Sequence, residues 1–381
     1  MLLRKQIIYG LVSALLMAGC SEEDEAEKYS GSFDAVPIAF DCTIADDAAT
    51  RAANGYTGNI TQENNQLRYA GFGVFACQQA GNTPDLMYNQ QVAFTFLSNN
   101  TGNGYWTYSP LKYWPNSNAD KVCFYAYAPY VPTPSTTASD ATGIIGMSSN
   151  TETTPYISYA RAKHPEDHVD LLWAAYTPGA IKPVRFAADH CLHHALARIK
   201  VSLGITNGAS LPVGSKLLVK RVTFTGNFAK TGKLNLTGTG TTPTWYDQVL
   251  ANPSTDPDAD KTIFIDHNPE VNTTSYGIIA EGARYIDGLP VAWQPAGLPH
   301  VNYSAADAST KANLLCMGDA VSYLYLIPQP SLTLSCVIDY CIITSAGVET
   351  EYHKTLNEGT SITIAPLNGN TTYDLTLTSS I

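Results

Sequence analysis

The sequence predicts an all-β chain that folds into two tandem β-sandwich domains. Short runs of alternating apolar and polar residues recur along the chain, and turn-forming Gly, Pro, Asn and Asp residues separate them. No long stretch carries the period of an amphipathic helix. The chain has 381 residues, more than one hydrophobic core normally serves, so two domains are expected.

The strands are predicted in order from this alternation. In the first, VPIAFDCTI at 36–44, one face carries Val36, Ile38, Phe40, Cys42 and Ile44. Further strands are predicted at 69–77, 91–96, 121–130, 170–176, 195–205, 216–226, 232–238, 261–266, 275–280, 322–328, 331–344, 360–365 and 371–379. The Pro and Gly residues of 177–183 interrupt pairing, which favours an N-terminal domain at 36–180 and a C-terminal domain at 181–381.

The residues before the first strand predict export. A basic start followed by the apolar run at 7–18 has the length of a signal peptide, so 1–19 is predicted to be removed. The small residues before Cys20 resemble a lipobox, in which the cysteine is lipidated; a plain secretory signal is the alternative. The acidic run after Cys20 resembles the surface-export signal of Bacteroidetes lipoproteins, or is a charged linker, and 20–35 is predicted to be a tether.

Composition and motifs argue against several classes of function. The net charge of −11, with no basic run beyond the N-terminus, disfavours nucleic-acid binding. The 8 cysteines form no CxxC pair, and no G-x-S-x-G turn is present. An enzyme is therefore not expected, and no cofactor is predicted.

A histidine cluster raises the question of a metal site. The segment DHCLHHAL at 189–196 places His190 and His194 four residues apart, a spacing that suits two ligands on a helix. The residues that follow alternate like a strand, so structural histidines are favoured and no metal is predicted.

An aromatic group raises the question of a ligand. Tyr105, Trp106, Tyr113 and Trp114 are candidate contacts for a sugar ring or another host or bacterial surface ligand. Alternating aromatic residues in a β-sandwich belong more often to the core, and that reading stays open.

Six segments, in order, resemble the fimbrillin superfamily, the lipoprotein-derived pilins of the Bacteroidales. They are YSPLKYWPNSNADKVCFYAYAPY, DLLWAAY, LHHALARIKVSL, VTFTGNFAKTGKLNLTG, YLYLIPQP and LNGNTTYDLTL. The resemblance runs from about Val36 to Leu377. It implies transthyretin-like β-sandwich domains, a place on the cell surface in a fimbrium, and other fimbrial subunits as partners.

The resemblance also implies maturation by an arginine-specific protease that cuts after Arg51 and before Ala52. Arg51 lies in DDAATRAANG at 46–55, just after the first strand; an ordinary charge in a linker is the alternative. Such a cut would also separate the protein from the lipid on Cys20 that holds the precursor in the outer membrane. The segment 36–51 is therefore predicted to be a removable strand and its linker.

Physical reasoning supports exchange of this strand. Pro37 lacks an N–H group and suits an edge strand. Loss of five inward side chains would expose a groove at a cost of roughly 8–15 kcal/mol, so a strand from another subunit is expected to replace them. Few residues follow Leu377, which favours a tip or accessory subunit over a stalk repeat. The alternative is an uncut, lipid-anchored protein that anchors a filament or binds a glycan or host ligand.

Overall fold

A computed structural model confirms that the chain is all-β. It describes residues 36–44, 66–78, 83–97, 104–115, 122–132, 142–162, 168–177, 184–186, 190–205, 216–257, 261–266, 277–281, 315–316, 323–344, 346–355 and 361–379. The statements below concern these ranges.

A short helix, α1, and the first strands occupy the described residues up to 176. They are α1 (Gln66–Ala70), β1 (Phe40–Cys42), β2 (Phe72–Gln78), β3 (Met87–Phe96), β4 (Gly104–Thr107), β5 (Val122–Ala128), β6 (Gly143–Met147), β7 (Tyr156–Ala160) and β8 (Leu172–Tyr176).

The later strands follow at similar intervals. They are β9 (Val184–Phe186), β10 (His193–His194), β11 (Ala197–Ile205), β12 (Lys216–Gly226), β13 (Ala229–Asn235), β14 (Thr244–Leu250), β15 (Thr262–Asp266), β16 (Gly277–Glu281), β17 (Leu315–Cys316), β18 (Tyr323–Leu326), β19 (Leu332–Ile343), β20 (Glu349–Thr355), β21 (Ile362–Ile364) and β22 (Thr372–Ser379).

An antiparallel sheet of six strands, in the order β10-β8-β5-β2-β3-β4, organises the first part of the chain. Its inner strands β2 and β5 are rich in aromatic, alanine and valine side chains and are buried on both faces. Aromatic and β-branched residues favour such a pleated, covered surface. The inner strands therefore separate two apolar layers.

Alternate side chains of β2 and β5 enter different cores because successive residues of a strand face opposite sides. The first core cluster contains Phe72, Val74, Ala76, Phe124 and Ala126, together with side chains of β1 and β9. The second core cluster contains Phe75, Cys77, Tyr125 and Tyr127, together with side chains of β7, β13 and β18. The six-stranded sheet thus separates the two core clusters.

A four-stranded sheet, in the order β14-β13-β7-β6, joins strands that lie far apart in the sequence. Strand β7 pairs antiparallel with β13, and Leu234 lies opposite Ile157. These strands come from the two sides of the predicted boundary at 180/181. The division into an N-terminal domain at 36–180 and a C-terminal domain at 181–381 stays a prediction.

The remaining strands form two further sheets. One has the order β15-β12-β19-β20, and in it β16 also pairs with β12 and β21 with β19. In the other, β11 pairs with β17 and β18, and β22 pairs parallel with β11 from Arg198↔Thr372 to Ile205↔Ser379. All the sheets of the described ranges lie within one compact unit, Ile38–Ile381.

Candidate functional site

The first strand pairs in parallel with a strand from far along the chain. Phe40 of β1 lies opposite Val184 of β9, and Cys42 lies opposite Phe186. The parallel direction continues beyond the strands as a bridge between Ile44 and Leu192. In the described part of the chain, β9 is the strand whose ladder holds β1.

Backbone hydrogen bonds fix this pairing along its length. The Val184 N–H donates to the Ala39 carbonyl over 2.7 Å, and the Thr43 N–H donates to the Phe186 carbonyl over 2.7 Å. The Leu192 N–H donates to the Thr43 carbonyl over 2.9 Å. These bonds use the backbone groups of Ala39 and Thr43, which point to the same side of the first strand, as pairing with one parallel neighbour requires.

The start of the first strand is held by a different segment, the residues that follow β4. The Ile38 N–H donates to the Lys112 carbonyl over 2.8 Å. The Tyr108 hydroxyl donates to the Ile38 carbonyl over 2.7 Å and lies 3.2 Å from the Lys112 carbonyl oxygen. Tyr108 therefore bridges the strand and the loop that borders it.

Four of the five side chains expected to face inward are buried. Ile38, Phe40, Cys42 and Ile44 are exposed by 1%, 8%, 4% and 6% and belong to the first core cluster. Val36 is 50% exposed, so its expected inward position is wrong. The anchored part of the chain begins at Ile38, where the first bonds to Lys112 are made, and Val36 precedes it.

Phe40 is the centre of the contact between the first strand and the sheet. Its ring packs edge-on against Tyr108 at 5.3 Å, Phe124 at 5.9 Å and Phe72 at 6.1 Å, measured between ring centroids. It also stacks parallel to Phe186 at 6.4 Å. One side chain of the first strand thus contacts rings on the inner strands, on β9 and in the border loop.

Cys42 is a buried thiol on the same face. Burial raises the pKa of Cys42 well above its ordinary value, and the charge of Asp41 acts in the same direction. A thiol in this state is a protonated, small apolar group at neutral pH rather than a nucleophile. We assign it a packing role in the first core cluster.

The four candidate ligand residues divide into two kinds. Trp114 is 7% exposed and belongs to the first core cluster, and Trp106 packs against that cluster beside Phe72 at 4.9 Å. Tyr105 and Tyr113 are 52% and 46% exposed. The tryptophans therefore serve the core, and the tyrosines are the pair that a ligand can reach.

Three predicted positions lie outside the described residues: Cys20, Arg51 and Ala52. The described chain resumes at Gln66, where α1 begins. Lipidation and cleavage therefore stay predictions.

The histidine cluster has a packing role. His194 is 3% exposed, and its Nδ1 lies 2.9 Å from the carboxylate of the fully buried Asp170. His190 is exposed, and its ring packs against the ring of Tyr176. Within the described ranges, no group of three or more His, Cys, Asp and Glu side chains could hold a metal ion.

His193 lies beside this pair in β10 and is 7% exposed. Burial lowers the pKa of His193, and the neighbouring His194 lowers it further. The neutral imidazole is therefore favoured in the folded chain.

Residues on both sides of the first strand were missed by sequence reasoning. Val184, Phe186 and Leu192 complete its surroundings, and Tyr108, one of the aromatic residues that could stack on a sugar ring, contacts the first strand instead. The VRF triplet of β9 does alternate, but three residues are too short a run to predict a strand. Its partner β1 lies more than a hundred residues earlier in the sequence, and a pattern of neighbouring residues cannot predict pairing over such a separation.

Comparison with known proteins shows which family the chain is similar to. The model of the fimbrillin-like family matches residues 50–282. The fimbrium subunit Fim1C of Phocaeicola vulgatus is 26% identical over 221 residues, which are 53% of this chain and 53% of that protein. The chain thus spans about half the length of the curated relative that it matches.

A solved structure has a similar fold. The crystal structure of a fimbrial protein from Bacteroides vulgatus ATCC 8482 has a TM-score of 0.51 at 20% identity, over 91% of this chain and 95% of that chain.

No helix in the described ranges is both long enough and apolar enough to cross a membrane.

Proposed function

This chain belongs to the fimbrillin-like family, and on that premise we propose that it is a fimbrial subunit at the cell surface that serves adhesion. It reaches the surface as a lipoprotein, is matured by cleavage after Arg51, and assembles by exchange of its first strand. A structural subunit needs no catalytic residue, and we assign none.

The observation that carries the proposal is how the first strand is bound. Four alternate side chains enter the first core cluster, while the ladder with β9 holds the backbone. At about 1.5–3 kcal/mol for each buried side chain, exposing the vacated groove would cost roughly 6–12 kcal/mol. Cleavage alone therefore leaves the strand in place.

A strand from another subunit can restore what the first strand supplies. It would offer an apolar side chain at every second position, to fill the sites of Ile38, Phe40, Cys42 and Ile44. It would also pair its backbone with β9. Exchange of one strand for another then changes the free energy far less than loss of a strand, and it needs no cofactor.

Cleavage after Arg51 removes the covalent connection between the first strand and the chain that follows it, but it does not provide the free energy needed to release the strand. Arg51 lies seven residues beyond Ile44, in a segment of small and acidic residues that suits a protease. Cutting there separates the first strand, which stays on the Cys20 side of the cut, from the rest of the chain, and it thereby separates that remaining chain from the lipid on Cys20. An uncut copy keeps both connections.

The C-terminal strand supports a tip or accessory position. Strand β22 is engaged with β11 through eight paired residues, from Thr372 to Ser379. A strand used in this way is not available to a neighbour. The subunit therefore receives a strand from another subunit and occupies an end of the filament or an accessory place.

The test is to compare the Arg51→Ala variant with the wild-type protein in a fimbriated host cell. In wild-type filaments sheared from the surface, N-terminal sequencing should begin at Ala52, and the variant should stay in the membrane fraction. Arg68→Ala, which changes the next arginine along the chain, is the matched control and should mature normally. Assembled filaments that retain the segment from Cys20 to Arg51 would contradict the proposal.

A second function is favoured by the exposure of Tyr105 and Tyr113. Under it, the protein stays uncut and lipid-anchored, either as a filament anchor or as a module that binds a glycan or host ligand. Arg51→Ala would then change nothing, and replacing both tyrosines by Ala would abolish binding to the ligand.

A further inference from the structure

Two cysteines lie directly opposite each other in the six-stranded sheet. Cys77 of β2 pairs with Cys123 of β5 in the antiparallel register. Both are free thiols, and the Cys77 Sγ lies 3.7 Å from the Cys123 carbonyl oxygen. Opposite residues of antiparallel strands have Cα atoms about 4.5–5.5 Å apart, within the range of about 4.4–6.8 Å found for disulfides.

The two side chains also share a face of the sheet. Cys77 belongs to the second core cluster, and Cys123 packs against that cluster. The hydroxyl of Tyr125, two residues from Cys123, hydrogen-bonds with both thiols. Bringing the sulfurs together therefore calls for rotation of side chains, with the strands left in register.

We propose that Cys77 and Cys123 form an intrachain disulfide when the exported protein meets a disulfide oxidant. This covalent cross-link would join β2 to β5. It is a modification site of the chain itself and does not depend on cleavage at Arg51.

The step balances as thiol–disulfide exchange. The Cys123 thiolate attacks one sulfur of the oxidant, breaks its S–S bond and releases the first thiol. The Cys77 sulfur then attacks the mixed disulfide at Cys123, forms the Cys77–Cys123 bond and releases the second thiol. The protein dithiol loses two electrons and two protons, and the oxidant disulfide gains them as two thiols.

Accessibility sets the order of these attacks. Cys77 is 1% exposed, and burial together with the nearby Cys123 raises its pKa to about 12, whereas Cys123 is partly exposed. The Thr177 hydroxyl donates a hydrogen bond to the Cys123 sulfur over 3.4 Å, so this sulfur lies beside an exposed residue that follows β8. Cys123 therefore meets the oxidant first, and Cys77 closes the bond from within.

The cross-link would have a consequence for strand exchange, which rests on the proposed function. The opposite faces of β2 and β5 carry Phe72 and Phe124, the rings against which Phe40 packs. When the first strand leaves, these two strands lose that packing. A disulfide on their far side keeps the surface that receives the incoming strand in register.

The test uses the purified full chain, without lipid, incubated with oxidised glutathione. Unreacted thiols are alkylated under denaturing conditions and mapped by mass spectrometry. We expect a peptide pair linked through Cys77 and Cys123, lighter than the two thiols by two hydrogen atoms, and protection of both residues from alkylation until dithiothreitol is added. This disulfide map is measured on the monomer, so its result does not depend on whether the protein assembles into filaments.

Matched variants separate this bond from general oxidation. Cys77→Ser and Cys123→Ser should each abolish the linked peptide, and Cys336→Ser, which changes another buried cysteine, should leave it intact. Even if a variant folds poorly, the disulfide map of the wild-type protein still tests whether Cys77 and Cys123 are linked. Full alkylation of both residues after oxidation, or a disulfide from either one to another cysteine, would overturn the proposal.

Discussion

The Tyr108 hydroxyl donates a 2.7 Å hydrogen bond to the Ile38 carbonyl, so one phenol holds the beginning of the first strand. The same hydroxyl lies within hydrogen-bonding distance of both the amide and the carbonyl of Lys112. The strand is therefore bound at its start by a side chain and farther along by the ladder with β9.

Tyr108→Phe should loosen this start without creating a cavity. It leaves the Ile38 carbonyl without its side-chain donor, which we expect to lower the free energy of unfolding by about 1–3 kcal/mol. Urea denaturation measures the loss. Tyr113→Phe removes a hydroxyl from an exposed tyrosine of the same loop and serves as the control. Equal effects of the two changes would argue against the anchoring role of Tyr108.

Phe40→Ala should be the most damaging change in the first strand. It removes a ring that touches four others, and large-to-small changes of buried Phe cost about 3–5 kcal/mol. Val36→Ala, in the same segment but half exposed, should stay within about 0.5 kcal/mol of the wild type. Denaturation midpoints of the two variants compare them, and a small loss for Phe40→Ala would mean that the strand contributes little burial.

Cys42 should report departure of the first strand. Its raised pKa and burial make it unreactive to iodoacetamide in the intact protein. After cleavage at Arg51 and addition of a competing donor peptide, Cys42 should be alkylated rapidly, because the released strand is exposed. Cys336 is also buried, and burial raises its pKa to about 12. It should stay protected, and simultaneous labelling of both cysteines would indicate global unfolding instead.

Asp170→Ala should destabilise the protein strongly. The change leaves the buried His194 Nδ1 without its acceptor, and a buried polar group left without its partner typically costs about 1–3 kcal/mol. Asp247→Ala, which breaks the exposed pair with Lys233, should have a much smaller effect. Guanidinium denaturation at neutral pH gives both values.

His193 should make the fold less stable in acid. Because burial holds the pKa of His193 in the folded chain below its ordinary value of 6.5, the unfolded chain binds this proton more readily. Stability from this residue is complete above the unfolded pKa and is lost as the pH falls below it. The urea midpoint should drop less between about pH 7.5 and about pH 5.5 in His193→Gln than in the wild type, and an equal drop in both proteins would contradict the assignment.

The alternation of apolar and polar residues predicted the all-β fold class and most of the inward-facing side chains of the first strand. Ile38, Phe40, Cys42 and Ile44 are buried as their two-residue spacing indicated. Val36 fits the same spacing and is exposed, because alternation does not say where backbone anchoring begins. Trp114 was a candidate ligand contact and lies in the core, since the partner rings that enclose it come from elsewhere in the chain.

Some strands escaped prediction because tertiary pairing determines them. Strand β9 has only three residues, and its extended conformation is stabilised by pairing with β1. Strand β14, with an Asp and a Gln in its middle, pairs with β13 through two register shifts and was not predicted. In such segments the partner strand outweighs local propensity.

The parallel pairing of β11 with β22 has a mechanical consequence for the proposed place of this chain in a filament. The two strands run side by side through eight residue pairs. A pull on the end of β22 against the beginning of β11 would load all their hydrogen bonds in shear, so they must break together. The end of the chain should therefore resist tension better than a hairpin, whose bonds open one at a time.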